Sequence, residues 1–228
     1  MLQVEHLCKS YPTFALKDVS FALEPGYILG FIGMNGAGKT TTLKSILNLV
    51  HPDSGKVTVF GQDMYAHESE LKQRIGYTTG AFSCYPRQRI AKLARVYRRF
   101  YERWDESVYR DCLARFRLDE NKKVCELSTG MKVKLGIAFA LSHGADLLIL
   151  DEPTGGLDPV ARDELLDLFR EIVSNGDKSI LFSTHVTSDL EQCADYILFI
   201  ADGRIVAYDT KDDLLARHAL VHGPTDAL

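Results

Sequence analysis

Eight consecutive residues, Gly33-Met34-Asn35-Gly36-Ala37-Gly38-Lys39-Thr40, carry the spacing G-x-x-x-x-G-K-[ST], which is the chemistry of a phosphate cradle. Glycines let successive backbone N–H groups turn towards an anion, and a helix opening at the loop adds positive potential. Lys39 is then placed to reach the β and γ phosphates of a nucleotide, and the Thr40 hydroxyl to ligate Mg²⁺. A second constellation, Asp151-Glu152, closes the apolar run Leu147 to Leu150. Carboxylates at the carboxyl end of a buried strand lie beside the ligand crevice of an open α/β sheet. Asp151 is thus the candidate Mg²⁺ anchor, and Glu152 the group suited to polarise an attacking water, since phosphoryl transfer needs an oriented nucleophile and charge neutralisation.

These groups need elements to hold them. Short β-rich runs recur at Val19–Leu23, Tyr27–Ile32, Lys56–Phe60, Ile75–Thr78, Leu147–Leu150, Ser179–Ser183, Tyr196–Ile200 and Arg204–Tyr208, with longer helical patterns between them. Leu147–Leu150 is apolar at every position, as a central parallel strand covered on both faces requires. The phosphate loop follows one run and opens a helical pattern through Leu43, Ile46 and Leu47. An α/β core results. From Arg87 to Asn121 no β-run occurs. Instead Ile90, Leu93, Ala94, Tyr97, Val108, Cys112, Leu113 and Phe116 recur at helical spacing, which predicts a helical subdomain inserted in the core at about 87–141. This stretch is rich in arginine and reads first as a solvated helix face, second as an interaction surface.

With 46% hydrophobic and 25% charged residues the 228-residue chain can bury a large core, so disorder is excluded. A formal net charge of −4 offers no global attraction to nucleic acid, which is not expected as a partner. Five scattered cysteines without C-x-x-C spacing suggest buried free thiols rather than zinc or disulfides. No apolar run approaches the roughly 18 residues needed to span a bilayer, and the start lacks a signal sequence, so a cytoplasmic chain is expected.

Taken together, the motifs resemble the ATP-binding subunit of an ABC transporter, from Leu2 to about Arg217. The phosphate loop is Gly33 to Thr41, Leu127-Ser128-Thr129-Gly130-Met131 sits at the family's signature position, and Leu147 to Glu152 is similar to its second nucleotide motif. Gly155-Gly156-Leu157-Asp158 resembles the D-loop, and His185, in Ser-Thr-His, the switch histidine. The resemblance implies a P-loop NTPase of ABC type, with a mostly parallel core sheet, an antiparallel β subdomain and the helical insertion, together forming one domain over 1–217. It implies a Mg²⁺-dependent ATPase that uses Lys39, Glu152 and His185 in catalysis and Thr40 and Asp151 for the metal. Nucleotide contacts fall to Tyr11, stacking on adenine, to Gly33, Asn35, Gly36, Ala37, Gly38, Lys39, Thr40 and Thr41, and across a dimer interface to Ser128, Gly130 and Asp158. Ser128 is also placed to cap the helix running through Leu135 and Leu141. The other histidines, His6, His51, His67, His143, His218 and His222, match no motif and read as structural.

Two departures stand out. Thr129 and Met131 replace a glycine and a glutamine of the usual signature, and Gly80 stands where the family's Q-loop glutamine follows Ile75-Gly76-Tyr77, while Gln73 and Gln88 do not align with it. The implied partners are ATP, a second ATP-binding subunit, identical or different, and separate transmembrane permease subunits that hold the chain on the inner face of the cell membrane, with export as the expected direction. The rival readings are a soluble ABC-type ATPase acting on nucleic acid or ribosomes, and a nucleotide-binding regulator without turnover. The segment 218–228 reads as a short tail, the start of a C-terminal extension.

Overall fold

The computed structural model describes residues 1–79 and 85–217. In chain order they form β1 (Leu2–Tyr11), β2 (Phe14–Leu23), β3 (Ile28–Ile32), α1 (Lys39–Ile46), β4 (Ser54–Val59), β5 (Gln62–Asp63), α2 (Glu68–Lys72) and β6 (Ile75–Thr79). There follow α3 (Ile90–Phe100), α4 (Glu106–Arg115), a single 3₁₀ turn at Val124–Glu126, α5 (Thr129–Ser142), β7 (Leu147–Asp151), α6 (Pro159–Val173), β8 (Ser179–Thr184), α7 (Thr187–Cys193), β9 (Tyr196–Ala201), β10 (Arg204–Thr210) and α8 (Lys211–Arg217). Gly80, Cys84 and the tail 218–228 lie outside the described residues.

Two sheets result. The smaller is antiparallel in the order β2-β1-β4-β5; the larger runs β10-β9-β3-β8-β7-β6 and is parallel except for its β9–β10 edge. The mostly parallel core sheet and the antiparallel β layer are therefore both present. The wholly apolar run at Leu147–Leu150 does occupy a central position, and both its faces are filled. Leu148 and Leu150 point into a cluster with α3 to α7, whereas Leu147 and Ile149 point into a second cluster shared with α1 and the antiparallel sheet. On β8 the same alternation sends Ile180 and Phe182 one way and Leu181 the other.

Within the expected helical subdomain, α3 and α4 bury Ile90, Leu93, Ala94, Tyr109 and Cys112. Tyr97 stacks on Phe139 of α5 at 4.4 Å between centroids, which fastens α3 to α5. Several of its arginines are paired: Arg98 and Arg110 with Glu106, Arg103 with Asp146 and Arg115 with Glu171. The cysteine expectation needs a correction, because among the described residues only Cys112 and Cys193 are buried, while Cys8 is half-buried and Cys125 exposed. Desolvation pushes the Cys112 thiol up to about 11 and the Cys193 thiol to about 12, which keeps both unreactive.

Register places the site. Ile32 pairs with Thr184 across β3 and β8, and Asp151 with Ser183 across β7 and β8. Three neighbouring parallel strands thus end level, and the residues immediately beyond them emerge at one edge.

Candidate nucleotide site

After β3 the chain turns through Gly33 to Gly38 before α1 begins. Gly38 has φ +119°, a conformation L side chains rarely adopt, and a Cβ on it would lie 2.6 Å from Leu16 Cδ2. The loop also packs tightly at its start, where a Cβ on Gly33 would lie 2.5 Å from the Ile200 carbonyl oxygen. With Gly38 as N-cap, α1 has no side chain on its first N–H groups, which leaves them to face an anion. Leu43, Ile46 and Leu47 anchor the helix beneath in the core cluster shared with the antiparallel sheet.

Lys39 is 5% exposed. Its ammonium donates to the Gly33 carbonyl at 2.6 Å and to the Met34 carbonyl at 3.4 Å, and stands 3.1 Å from Glu152 Oε1. That oxygen is shielded and accepts no hydrogen bond, so the Lys39 ion pair is its compensation. The other carboxylate oxygen lies 2.8 Å from His185 Nδ1. Glu152 itself has φ +51°, uncommon for a residue with a side chain. Its N–H donates to Ser183 Oγ at 2.9 Å, and the same hydroxyl donates to Asp151 Oδ1 at 2.7 Å. Ser183, buried in β8, therefore fixes the directions in which both carboxylates leave β7. Its signal in the sequence is the small polar residue ending an otherwise apolar run.

A cleft of about 330 Å³ is lined by Phe14, Met34, Asn35, Gly36, Gly38, Lys39, Thr40, Thr41 and Glu152. Of the loop residues singled out from sequence, Asn35, Gly36, Gly38, Lys39, Thr40 and Thr41 thus meet Glu152 and, through it, His185, whereas Gly33 and Ala37 do not line the cleft. Tyr11 is not among the lining residues. It pairs in register with Phe14 at the outer end of the β1–β2 hairpin, and Phe14 is the aromatic that enters the cleft. Ser128, Gly130 and Asp158 do not line the cleft either. Ser128 caps α5 by accepting from the Met131 N–H at 3.2 Å, and Asp158 caps α6 by accepting from the Ala161 N–H at 2.9 Å. The two caps are neighbours, since a Cβ on Gly130 would lie 3.3 Å from Leu157 Cδ2.

Of the unassigned histidines, His143 is buried, stacked on Tyr101 at 3.9 Å and directed through Nδ1 at the Gln73 carbonyl at 3.3 Å. Gln73 serves structure as well, donating to the Phe100 carbonyl at 2.9 Å and accepting from the Glu102 N–H at 3.1 Å.

A glycine-rich loop at a helix N-terminus, a buried lysine and a carboxylate–histidine pair at the carboxyl edge of a parallel sheet together define a phosphate-loop nucleotide-binding protein. The family described as ABC transporter matches residues 16–155. The chain is 34% identical over 215 residues to the ABC transporter ATP-binding protein YtrB of Bacillus subtilis, covering 94% of this chain and 73% of that protein. It is 36% identical over 211 residues to the Nod factor export ATP-binding protein I of Burkholderia lata, covering 90% and 67%. A solved structure of the ATP binding subunit of an ABC transporter superposes with a TM-score of 0.85 at 30% identity, over 95% of this chain and 92% of the other. The chain belongs to the ABC transporter family, as an ATP-hydrolysing subunit.

Proposed function

We propose that this chain pairs about a twofold axis with a second ATP-binding subunit around two ATP molecules, and that the closure drives export through separate transmembrane subunits. The observation carrying the reading is that one chain holds two half-sites apart. The phosphate cleft contains Lys39, Thr40 and Glu152, whereas the α5 N-terminus at Ser128 and Gly130 lies outside it, beside the Asp158 loop. Apposing a second copy completes both sites at once, as a twofold arrangement requires. Thr129 and Met131 leave the phosphate-facing groups intact, because Gly130, the Ser128 hydroxyl and the backbone donors remain.

Within each composite site the α1 N–H groups and Lys39 take the phosphates. Glu152, held by Ser183 and His185, orients the water, and His185 reaches the terminal phosphate. Thr40, lining the cleft, and Asp151 offer hard oxygen donors that fit Mg²⁺, which when bound neutralises phosphate charge. Among the described residues no group of three or more His, Cys, Asp or Glu forms a metal cage, so most ligands would come from phosphate and water.

Export is supported by the relative named for Nod factor export. Among the described residues no helix is long and apolar enough to cross a membrane. We accordingly assign the membrane path to other chains, with this one peripheral on the inner face and residues 1–217 acting as one ATP-binding domain.

The test mixes an excess of Lys39→Ala chains with Ser128→Arg chains. Each is inactive alone, and a mixed dimer regains one intact composite site, so activity should return to at most about half of wild type. No recovery, with mixed dimers demonstrated, would overturn a composite site that fires independently between two copies of this chain.

A further inference from the structure

Asp189 lies in the first turn of α7 with no exposed surface, and none of the motifs accounts for it. A buried carboxylate is retained only where partners compensate its desolvation. Here the partners come from three separate segments: the loop after β7, the end of β8 and helix α6. Asp189 Oδ2 accepts from Thr154 Oγ1 at 2.6 Å and from Thr184 Oγ1 at 3.0 Å. The other oxygen accepts no hydrogen bond and faces the Arg162 Nε at 3.8 Å, an atom that is itself buried without a hydrogen-bond partner.

The origins of these partners give the arrangement its meaning. Thr154 is two residues beyond Glu152. Thr184 is the residue before His185, and its hydroxyl also accepts from the Val186 N–H at 3.0 Å, so the backbone on both sides of His185 is held. Arg162 lies one helical turn beyond Asp158, and its N–H donates to the Asp158 carbonyl at 3.0 Å. One carboxylate therefore gathers the loop carrying Glu152, the loop carrying His185 and the helix that Asp158 opens. Asp189 is not among the residues lining the phosphate cleft.

We propose that Asp189 is a positioning residue for ATP hydrolysis, which through Thr154, Thr184 and Arg162 holds Glu152 and His185 in the geometry that activates water and ties that geometry to the Asp158 loop. The inference deepens the reading of Glu152 and His185 above and rests on it. The group acts through others, so its removal slows the chemical step and spares nucleotide capture.

The experiment uses the full chain, with steady-state phosphate release, a fluorescent ATP analogue for affinity, and thermal melting. Asp189→Asn keeps an acceptor for the two threonines and loses the charge facing Arg162, whereas Asp189→Ala loses both. We expect kcat to fall about tenfold in the first and about a hundredfold in the second, as for small misplacements of reacting groups, with KM and analogue affinity within about twofold of wild type. In the Glu152→Gln background, followed with radiolabelled ATP, adding Asp189→Ala should cost little more, because residues acting as a unit are non-additive. Thr184→Val, nearly isosteric, carries the test if Asp189→Ala does not fold, and should also lower kcat alone.

Unchanged kcat in folded Asp189→Ala or Thr184→Val would overturn the proposal. So would parallel loss of kcat and analogue affinity, or full additivity with Glu152→Gln, either of which marks a merely structural group. Should Glu152→Gln keep full turnover while Asp189→Asn and Thr184→Val slow it, the role of Glu152 falls and the positioning of His185 by Asp189 stands.

Discussion

Lys39 Nζ and Glu152 Oε1 face each other at 3.1 Å across the floor of the phosphate cleft, with side-chain exposures of 6% and 28%. The lysine and the carboxylate are thus each other's counter-ion in this structure. In the function proposed above, an incoming phosphate group would compete for the lysine and free the Glu152 carboxylate to face the attacking water.

Replacing Glu152 by Gln keeps the shape and removes the proton-accepting charge. Turnover should drop at least about a hundredfold, the usual contribution of a positioned general base, while ATP affinity is kept or raised. Size-exclusion chromatography with ATP should show the variant as a dimer, and a species that stays monomeric at high protein and ATP would count against closure by binding.

Ser183→Ala removes one hydroxyl that serves two carboxylate residues, leaving the Glu152 N–H and Asp151 Oδ1 each short of a partner. The expected cost is about 1–3 kcal/mol of stability in urea melts. Turnover should also fall, since this contact anchors the backbone N–H of Glu152, a residue at positive φ. Unaltered kcat would mean that Ser183 only fills space.

Burial pushes the His143 imidazole down to about 4 from its ordinary 6.5, against a smaller opposing pull from the Gln73 carbonyl. Between those values the unfolded chain binds a proton that the folded chain refuses. Stability from this residue is therefore complete above about pH 6.5 and is lost as pH falls towards 4, by up to about 3 kcal/mol. His143→Phe keeps the stacking on Tyr101 and should flatten that slope. Urea midpoints of both proteins at pH 7 and 4.5 decide it, and a pH-independent difference between them would refute the assignment.

Reversing Arg95, Arg98 and Arg99 to Glu tests whether α3 faces a membrane partner. The isolated chain should hydrolyse ATP within about twofold of wild type, because exposed pairs such as Arg98 with Glu106 contribute at most about 1 kcal/mol. Stimulation by the membrane subunits should weaken, and equal loss in the isolated chain would return the stretch to an ordinary solvated surface.

The phosphate loop, the wholly apolar strand before Asp151 and the helical insertion were legible because each is local: a spacing, a run or a period. β1 was not, since its alternation breaks. Leu2 and Val4 face the core, then a bulge at His6, with φ +51°, shifts the register so that Leu7 does. Phe14, Ser183 and Asp189 escaped notice for another reason. Their significance lies in pairings between separate segments, Ser183 with Asp151 and Asp189 with Thr154, and in which wall of a cleft the hairpin presents for Phe14, none of which a linear pattern encodes.

The parity of β7 and β8, odd residues to one cluster and even to the other, makes the central sheet a partition with separately furnished rooms. A cavity cut at Leu148 is felt by the arginine-rich helices, one cut at Ile149 by the cradle of the phosphate loop, and the two should be nearly additive despite being neighbours in sequence. A single-residue deletion within β7 would exchange the tenants of both rooms at once and leave neither habitable.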